Sequence, residues 1–162
     1  MESVKLTNRF AYSSLFVVYL GVLVKFILFR RPLEFIETCI RNMEHFSLNN
    51  INLAQANFIP FKMMLHYLRG AEGTLIAVEN VLGNFIGFMP LGLLAPLLFE
   101  EIKSVTSMIA VSFFVSFSFE LVQLITGLGY FDVDDLILNT AGGVFGYLAC
   151  IFFTKQLSVL NS

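Results

Sequence analysis

The sequence predicts an all-α integral membrane protein: a four-helix bundle with an additional amphipathic interfacial helical segment between spans one and two. Three observations predict it. Hydrophobic residues make up 57% of the 162 residues and charged ones 14%, with a mean hydropathy of +0.78. A soluble domain of that composition would lack the polar surface to cover its core. The apolar residues gather into runs at about 10–29, 81–99, 105–125 and 136–153, each long enough to cross a hydrocarbon layer ~30 Å thick. Between the first two runs, the interfacial segment at about 32–69 is too rich in Leu, Ile, Met and Phe for a disordered linker, so it should dock on something.

The length fits a single domain, 1–162. A net charge of −2 and the absence of a dense Lys/Arg tract give no reason to expect a nucleic-acid partner. Cys39 and Cys150 fall near opposite membrane faces on this topology, so no internal disulfide is expected. No metal-finger spacing, P-loop or nucleophile elbow is present, and no cofactor is expected.

Taken in order, the first run follows Lys5 and Arg9 and ends in Phe29-Arg30-Arg31-Pro32 rather than at a small-residue cleavage site, which reads as a retained span. Lys25, about one turn from its end, can snorkel to the interface. Pro32 suits a first helical turn. Beyond it Leu33, Ile36, Ile40 and Met43 share one face, while Glu34, Glu37, Thr38, Arg41, Glu44 and His45 share the other. That pattern predicts a helix over 32–46 lying in the membrane interface. After a polar turn at 47–52, Phe61, Met64, Leu65 and Leu68 repeat at helical spacing, and Gly70 is a natural stop.

Span two carries Asn80, Gly83, Asn84 and Gly87 on one stripe, with Gly83 and Gly87 forming a GxxxG that permits close helix approach. Pro90 and Pro96 lie inside it, where kinks are expected. Span three carries Ser112, Ser116, Glu120 and Gln123 as a polar stripe, with Phe113, Phe114, Phe117 and Phe119 filling most of the remaining circumference. A charge in a membrane helix costs on the order of 2.5–3.5 kcal/mol near the centre. Glu120 must therefore face the bundle, and it is the candidate catalytic residue if there is one. On span four, Asp132, Asp135, Asn139, Gly142, Gly143 and Gly146 fall on one stripe that needs a polar or closely packed partner.

Four spans bring the start of span two, the end of span three and the start of span four to one side. Asn80, Asn84, Glu120, Gln123, Asp132, Asp135 and Asn139 should therefore converge at one end of the bundle, under or beside the amphipathic segment. Both termini are expected to be cytoplasmic, on the strength of the basic leader and the lack of Lys/Arg from 127 to 135. The basic residues after span one oppose this.

Four stretches form a recognisable pattern: NFIPFK at 57–62, NVLGNFIGFMPLG at 80–92, FELVQ at 119–123 and FDVDDLILNTAGGVFG at 131–146. In these the chain resembles the VanZ-like family, named for the teicoplanin-resistance protein of glycopeptide-resistance clusters. The pattern falls on Asn57, Pro60, Phe61, Asn80, Asn84, Phe88, Pro90, Gly92, Glu120, Gln123, Asp132, Asp135, Asn139, Gly143 and Gly146. Where many members carry a basic residue shortly before the acidic turn, this chain has Tyr130, so the resemblance gives Asp132 no positively charged partner at that position.

The resemblance implies a bacterial cell-membrane protein that lowers susceptibility to teicoplanin-type lipoglycopeptides. Its partners would be membrane lipid and either the antibiotic or a lipid-linked cell-wall precursor. Two readings from different classes follow. One is a non-enzymatic envelope protein that engages an amphiphile. The other is a membrane-embedded hydrolase or transferase in which Glu120 is the general acid or base and Asp132 and Asp135 position a divalent cation. A transporter subunit is a third.

Overall fold

The computed structural model describes residues 2–43, 53–69 and 74–160. Helix α1 (Glu2–Leu28) is followed by α2 (Leu33–Met43), a 3-10 turn (Leu53–Gln55), α3 (Lys62–Leu68), α4 (Thr74–Leu98), α5 (Val105–Thr126) and α6 (Val133–Leu160). The four long helices carry spanning stretches at Arg9–Leu28, Val78–Leu98, Val105–Thr126 and Val133–Gln156, so the protein is an all-α membrane protein with four helices long and apolar enough to cross a bilayer. Each expected span is present. The first, second and fourth helices also run on beyond the apolar runs.

Local chemistry sets the ends. The Ser104 hydroxyl accepts from Ser107 N–H at 3.1 Å and Ser107 Oγ accepts from Ser104 N–H, a reciprocal cap that starts α5. Gly127 stops α5 with φ 73°, a conformation that costs glycine nothing, and its N–H donates to Gln123 O at 2.9 Å. Pro32 lies just before α2 rather than inside it, and its carbonyl accepts from Phe35 and Ile36. Pro90 and Pro96 lie within α4 without ending it.

Side-chain size decides how the helices pack. A Cβ on Gly142 would collide with the Phe85 carbonyl, one on Gly146 with the Met89 carbonyl, and one on Gly92 with the backbone of Gly143 and Tyr147. The backbones of α4 and α6 are therefore in direct contact, as small residues at membrane-helix interfaces allow. The expected GxxxG of Gly83 and Gly87 behaves otherwise. Their Cβ positions meet the Phe26 ring, at 3.0 Å from Gly83, and Leu23 Cδ1, at 3.8 Å from Gly87, so this pair accommodates side chains of α1 rather than its backbone.

The interior is graded along α5. Its buried face is Met108, Ser112, Ser116 and Glu120, one turn apart. At the Met108 end, Phe88, Leu91, Ala95, Ile102 and Tyr147 complete an apolar core. Twelve residues on, about 18 Å along the helix, the interior has become carboxylate and amide. Phe113 and Phe114 point outward, while Phe117 and Phe119 are partly buried.

Helix α2 crosses the α5–α6 turn with Ile36 and Cys39 packed on Leu128 and Leu28. The Cys39 thiol also donates to Gly127 O at 3.4 Å. Its charged residues Glu34, Glu37 and Arg41 stay exposed, as do Leu33, Ile40 and Met43 on the expected apolar face. The rest of the helix expected to 46, the polar turn at 47–52 and the Gly70 stop lie outside the described residues.

Candidate functional site

The polar end is built around residues 131–135. Asp132 opens α6, and its Oδ1 accepts from Asp134 N–H at 2.9 Å and from the Asn57 amide at 2.7 Å. The Asp132 N–H donates to Glu120 Oε2 at 2.7 Å. One residue thereby joins the start of span four, the end of span three and the segment between spans one and two.

That segment is docked by its own backbone. Asn57 N–H donates to Phe131 O at 2.7 Å and Val133 N–H to Asn57 O at 3.0 Å, an isolated parallel bridge between Asn57 and Asp132. The rings of Phe58 and Phe131 stack at 5.2 Å. Three residues later Phe61 takes φ 64°, a left-handed conformation unfavourable by roughly 1–2 kcal/mol for a residue with a Cβ. Asp134 compensates. Its Oδ1 accepts from Phe61 N–H, and its Oδ2 accepts from Met63 and Met64 N–H at 2.8 and 3.1 Å. A carboxylate from α6 thus supplies the cap that α3 lacks locally.

Most of the residues expected to converge do so. Glu120 is 1% exposed and Asn139 3%. The Glu120 carboxylate lies in the electrostatic range of Asp135 and Asp132, and the Asn84 amide faces Asp135. Asn139 donates to Ser116 Oγ at 2.9 Å, one turn below. Asn80 and Gln123 turn to the rim instead. Asn80 donates to the Tyr67 hydroxyl at 2.9 Å, holding α3 to α4, and Gln123 donates to Ile27 O at 3.1 Å, holding the end of α1 to α5.

Two features escape a reading by side-chain stripes. Asp134, 2% exposed, is off the Asp132–Asp135–Asn139 stripe, and its partners are backbone donors about 70 residues earlier. The hydrogen bond that Glu120 accepts likewise comes from a backbone N–H rather than from an amide side chain. The DVDD run was the available signal: a third carboxylate at the start of a membrane helix needs donors of its own.

Burial raises Asp132 above the ordinary carboxylate range, and the bonds from the Asn57 amide and Asp134 N–H offset this in part. Positive charge reaches the cluster from outside it. Lys62 acts on Asp132 and Arg30 on Asp135, so the cation that Tyr130 does not supply comes from the preceding segment and from the end of α1. Ser112 Oγ and Asn139 Oδ1 accept no bond from the protein. Carboxylates gathered in a low dielectric repel when ionised, so the mouth favours donors or positive charge. Among the described residues no group of His, Cys, Asp and Glu is arranged to hold a metal.

A family model described as VanZ/LLP1 matches residues 16–154. The chain belongs to the VanZ/LLP1 family. Protein VanZ of Enterococcus faecium is 37% identical over 68 residues, a match that covers 42% of this chain and 42% of that protein. The chain thus covers less than half of that relative. No solved structure matches. Within this VanZ/LLP1 chain, the motif stretches at 57–62 and 131–146 meet in one bridge, although Asn57 and Asp132 stand 75 residues apart.

Proposed function

We propose that this chain is a non-enzymatic protein of the bacterial cell envelope that lowers susceptibility to teicoplanin-type lipoglycopeptides. It acts at the outer leaflet, on the antibiotic or on a lipid-linked cell-wall precursor, with both termini cytoplasmic. The observation that carries this reading is the docked segment. Clamped to the acidic end by Asn57 and Asp134, it leaves Phe58, Ile59, Phe61 and Leu65 exposed beside a cluster of carboxylates and amides. An apolar rim next to a polar mouth suits an amphiphile, with acyl chain on the rim and polar groups at the mouth. The likeness to Protein VanZ points the same way.

The test is expression in a sensitive host, with susceptibility to teicoplanin and vancomycin measured side by side. Protection against the lipid-tailed antibiotic alone is expected, and equal protection against both overturns the reading. Glu120→Gln keeps shape and hydrogen bonding, whereas Glu120→Ala removes both. Loss in both variants assigns the effect to the charge of Glu120, and loss in Ala alone assigns it to the bond with Asp132.

The hydrolase or transferase reading rests on Glu120, Asp132 and Asp135 lying within mutual range. Against it, Glu120 Oε2 and Asp132 Oδ1 are already taken by donors of the protein itself. Chelator-sensitive turnover of a lipid-linked substrate by the purified protein would establish it.

A further inference from the structure

On the side of α4 that faces α1, a cavity of about 690 Å³ runs between the two helices. Its walls are Val22, Leu23 and Phe26 on one side and Leu82, Ile86 and Pro90 on the other. The two helices are antiparallel, and their register is set by two contacts: Phe26 against Gly83, and the Tyr19 hydroxyl donating to Gly87 O at 2.9 Å. Carried outward, that register brings Arg30 and Glu79 to one level at the open end, and both line the cavity.

From Glu79 to Pro90 the helix rises about 16 Å, at 1.5 Å per residue. That is close to half of a ~30 Å hydrocarbon core, or the depth of a single leaflet. The Arg30 guanidinium stands 6.0 Å over the Phe26 ring, which holds it at the mouth. At longer range Arg30 also acts on Asp135, so the mouth of the groove borders the carboxylate cluster.

We infer that the α1–α4 groove is a binding site for a zwitterionic aminophospholipid, with one acyl chain along the groove, the phosphate on Arg30 and the ammonium on Glu79. Three properties select this occupant. The groove is apolar for the depth of one leaflet, which fits a chain. A guanidinium binds a phosphate through its fork of donors. A carboxylate at the same level rewards a positive group on the same head and disfavours a head that carries only negative charge. Gly83 and Gly87 make the room, because side chains there would fill the groove floor. The inference stands whether or not the chain alters antibiotic susceptibility.

The experiment is native mass spectrometry of the full chain released from nanodiscs made of equal parts dioleoyl phosphatidylethanolamine and dioleoyl phosphatidylglycerol. The expected result is one retained phosphatidylethanolamine per chain, preferred about tenfold, or ~1.4 kcal/mol. Glu79→Gln should abolish the preference while retaining lipid, and Arg30→Gln should lower retention of both lipids about tenfold. Ile86→Trp, at an exposed position on the groove wall, should displace the lipid by filling the space. Arg30 and Glu79 are exposed, so their variants test the head contacts in a folded chain. Equal retention of the two lipids by the unaltered chain, retention unchanged in Ile86→Trp, or a second copy of the chain in place of lipid would each overturn the inference.

Discussion

Helix α4 meets its two neighbours in opposite ways. Towards α6 the glycines of both helices let backbone touch backbone, with Gly92, Gly142 and Gly146 each facing a carbonyl or amide of the other helix. Towards α1 the glycines face side chains and open space, and the Tyr19 hydroxyl of α1 donates to Gly87 O. The same residue type therefore serves closure on one face and vacancy on the other. A glycine pair on a membrane helix is thus not by itself evidence of a tight helix pair; what stands opposite decides.

The largest effect should come from Gly142→Ala or Gly146→Ala. Each Cβ meets a carbonyl oxygen that cannot move without its helix, so the cost should exceed the upper end of the ~1–3 kcal/mol typical of overpacking. Gly87→Ala on the open face should change stability by no more than about 0.5–1 kcal/mol, in the stabilising direction, because alanine favours the helix and its Cβ has room. Unfolding midpoints in detergent compare the two. Similar losses on both faces would dissolve the distinction.

Next in size is Asp134, which holds the closed end together. Asp134→Ala strips the acceptor from three backbone donors at the start of α3 and should cost roughly 3 kcal/mol, while Asp134→Asn retains one acceptor oxygen and should cost about half as much. Protease accessibility of residues 57–68 reports it. If α3 stays docked in the alanine variant, the cap is not what holds it.

The smallest expected effect is a pH dependence at Asp132. Because burial raises its folded-state value above the ordinary one, the folded protein binds the proton more readily than the unfolded chain. The resulting penalty is present at neutral pH and is relieved as pH falls through the raised value towards the ordinary carboxylate value. Asp132→Asn keeps an acceptor oxygen for Asn57 and Asp134, so its stability relative to wild type should be highest near neutral pH and decline on acidification. A pH-independent difference would show that the charge of Asp132 carries no penalty.

Much of this architecture was legible in the residues. Apolar length set the spans, and the stripe of Ser112, Ser116 and Glu120 correctly named the buried face of α5, since a polar group in lipid has nowhere else to go. The convergence of Asn84, Glu120, Asp132, Asp135 and Asn139 followed from topology. What stayed hidden depends on backbone geometry. Asp134 binds main-chain donors that any sequence would offer, and the Asn57 bridge pairs backbones whose side-chain pattern says nothing of pairing. Asn80 and Gln123 share stripes with the cluster, yet Tyr67 and the end of α1 lie closer to them.

The Asn57–Asp132 bridge also imposes an order of assembly. The chain is made from its N-terminus, so Asn57 and Phe61 leave the ribosome about 75 residues before their partners on α6. Until then α3 has no cap, and Glu120 enters the membrane on α5 before the amide of Asp132 that will bind it exists. The short turn from Gly127 to Asp132 resolves this by delivering α5 and α6 as one hairpin. Helix α6, made after the other three spanning helices, is therefore the keystone of the polar end, and a chain truncated before residue 131 would carry an unmated carboxylate in one helix and an undocked segment at the membrane surface.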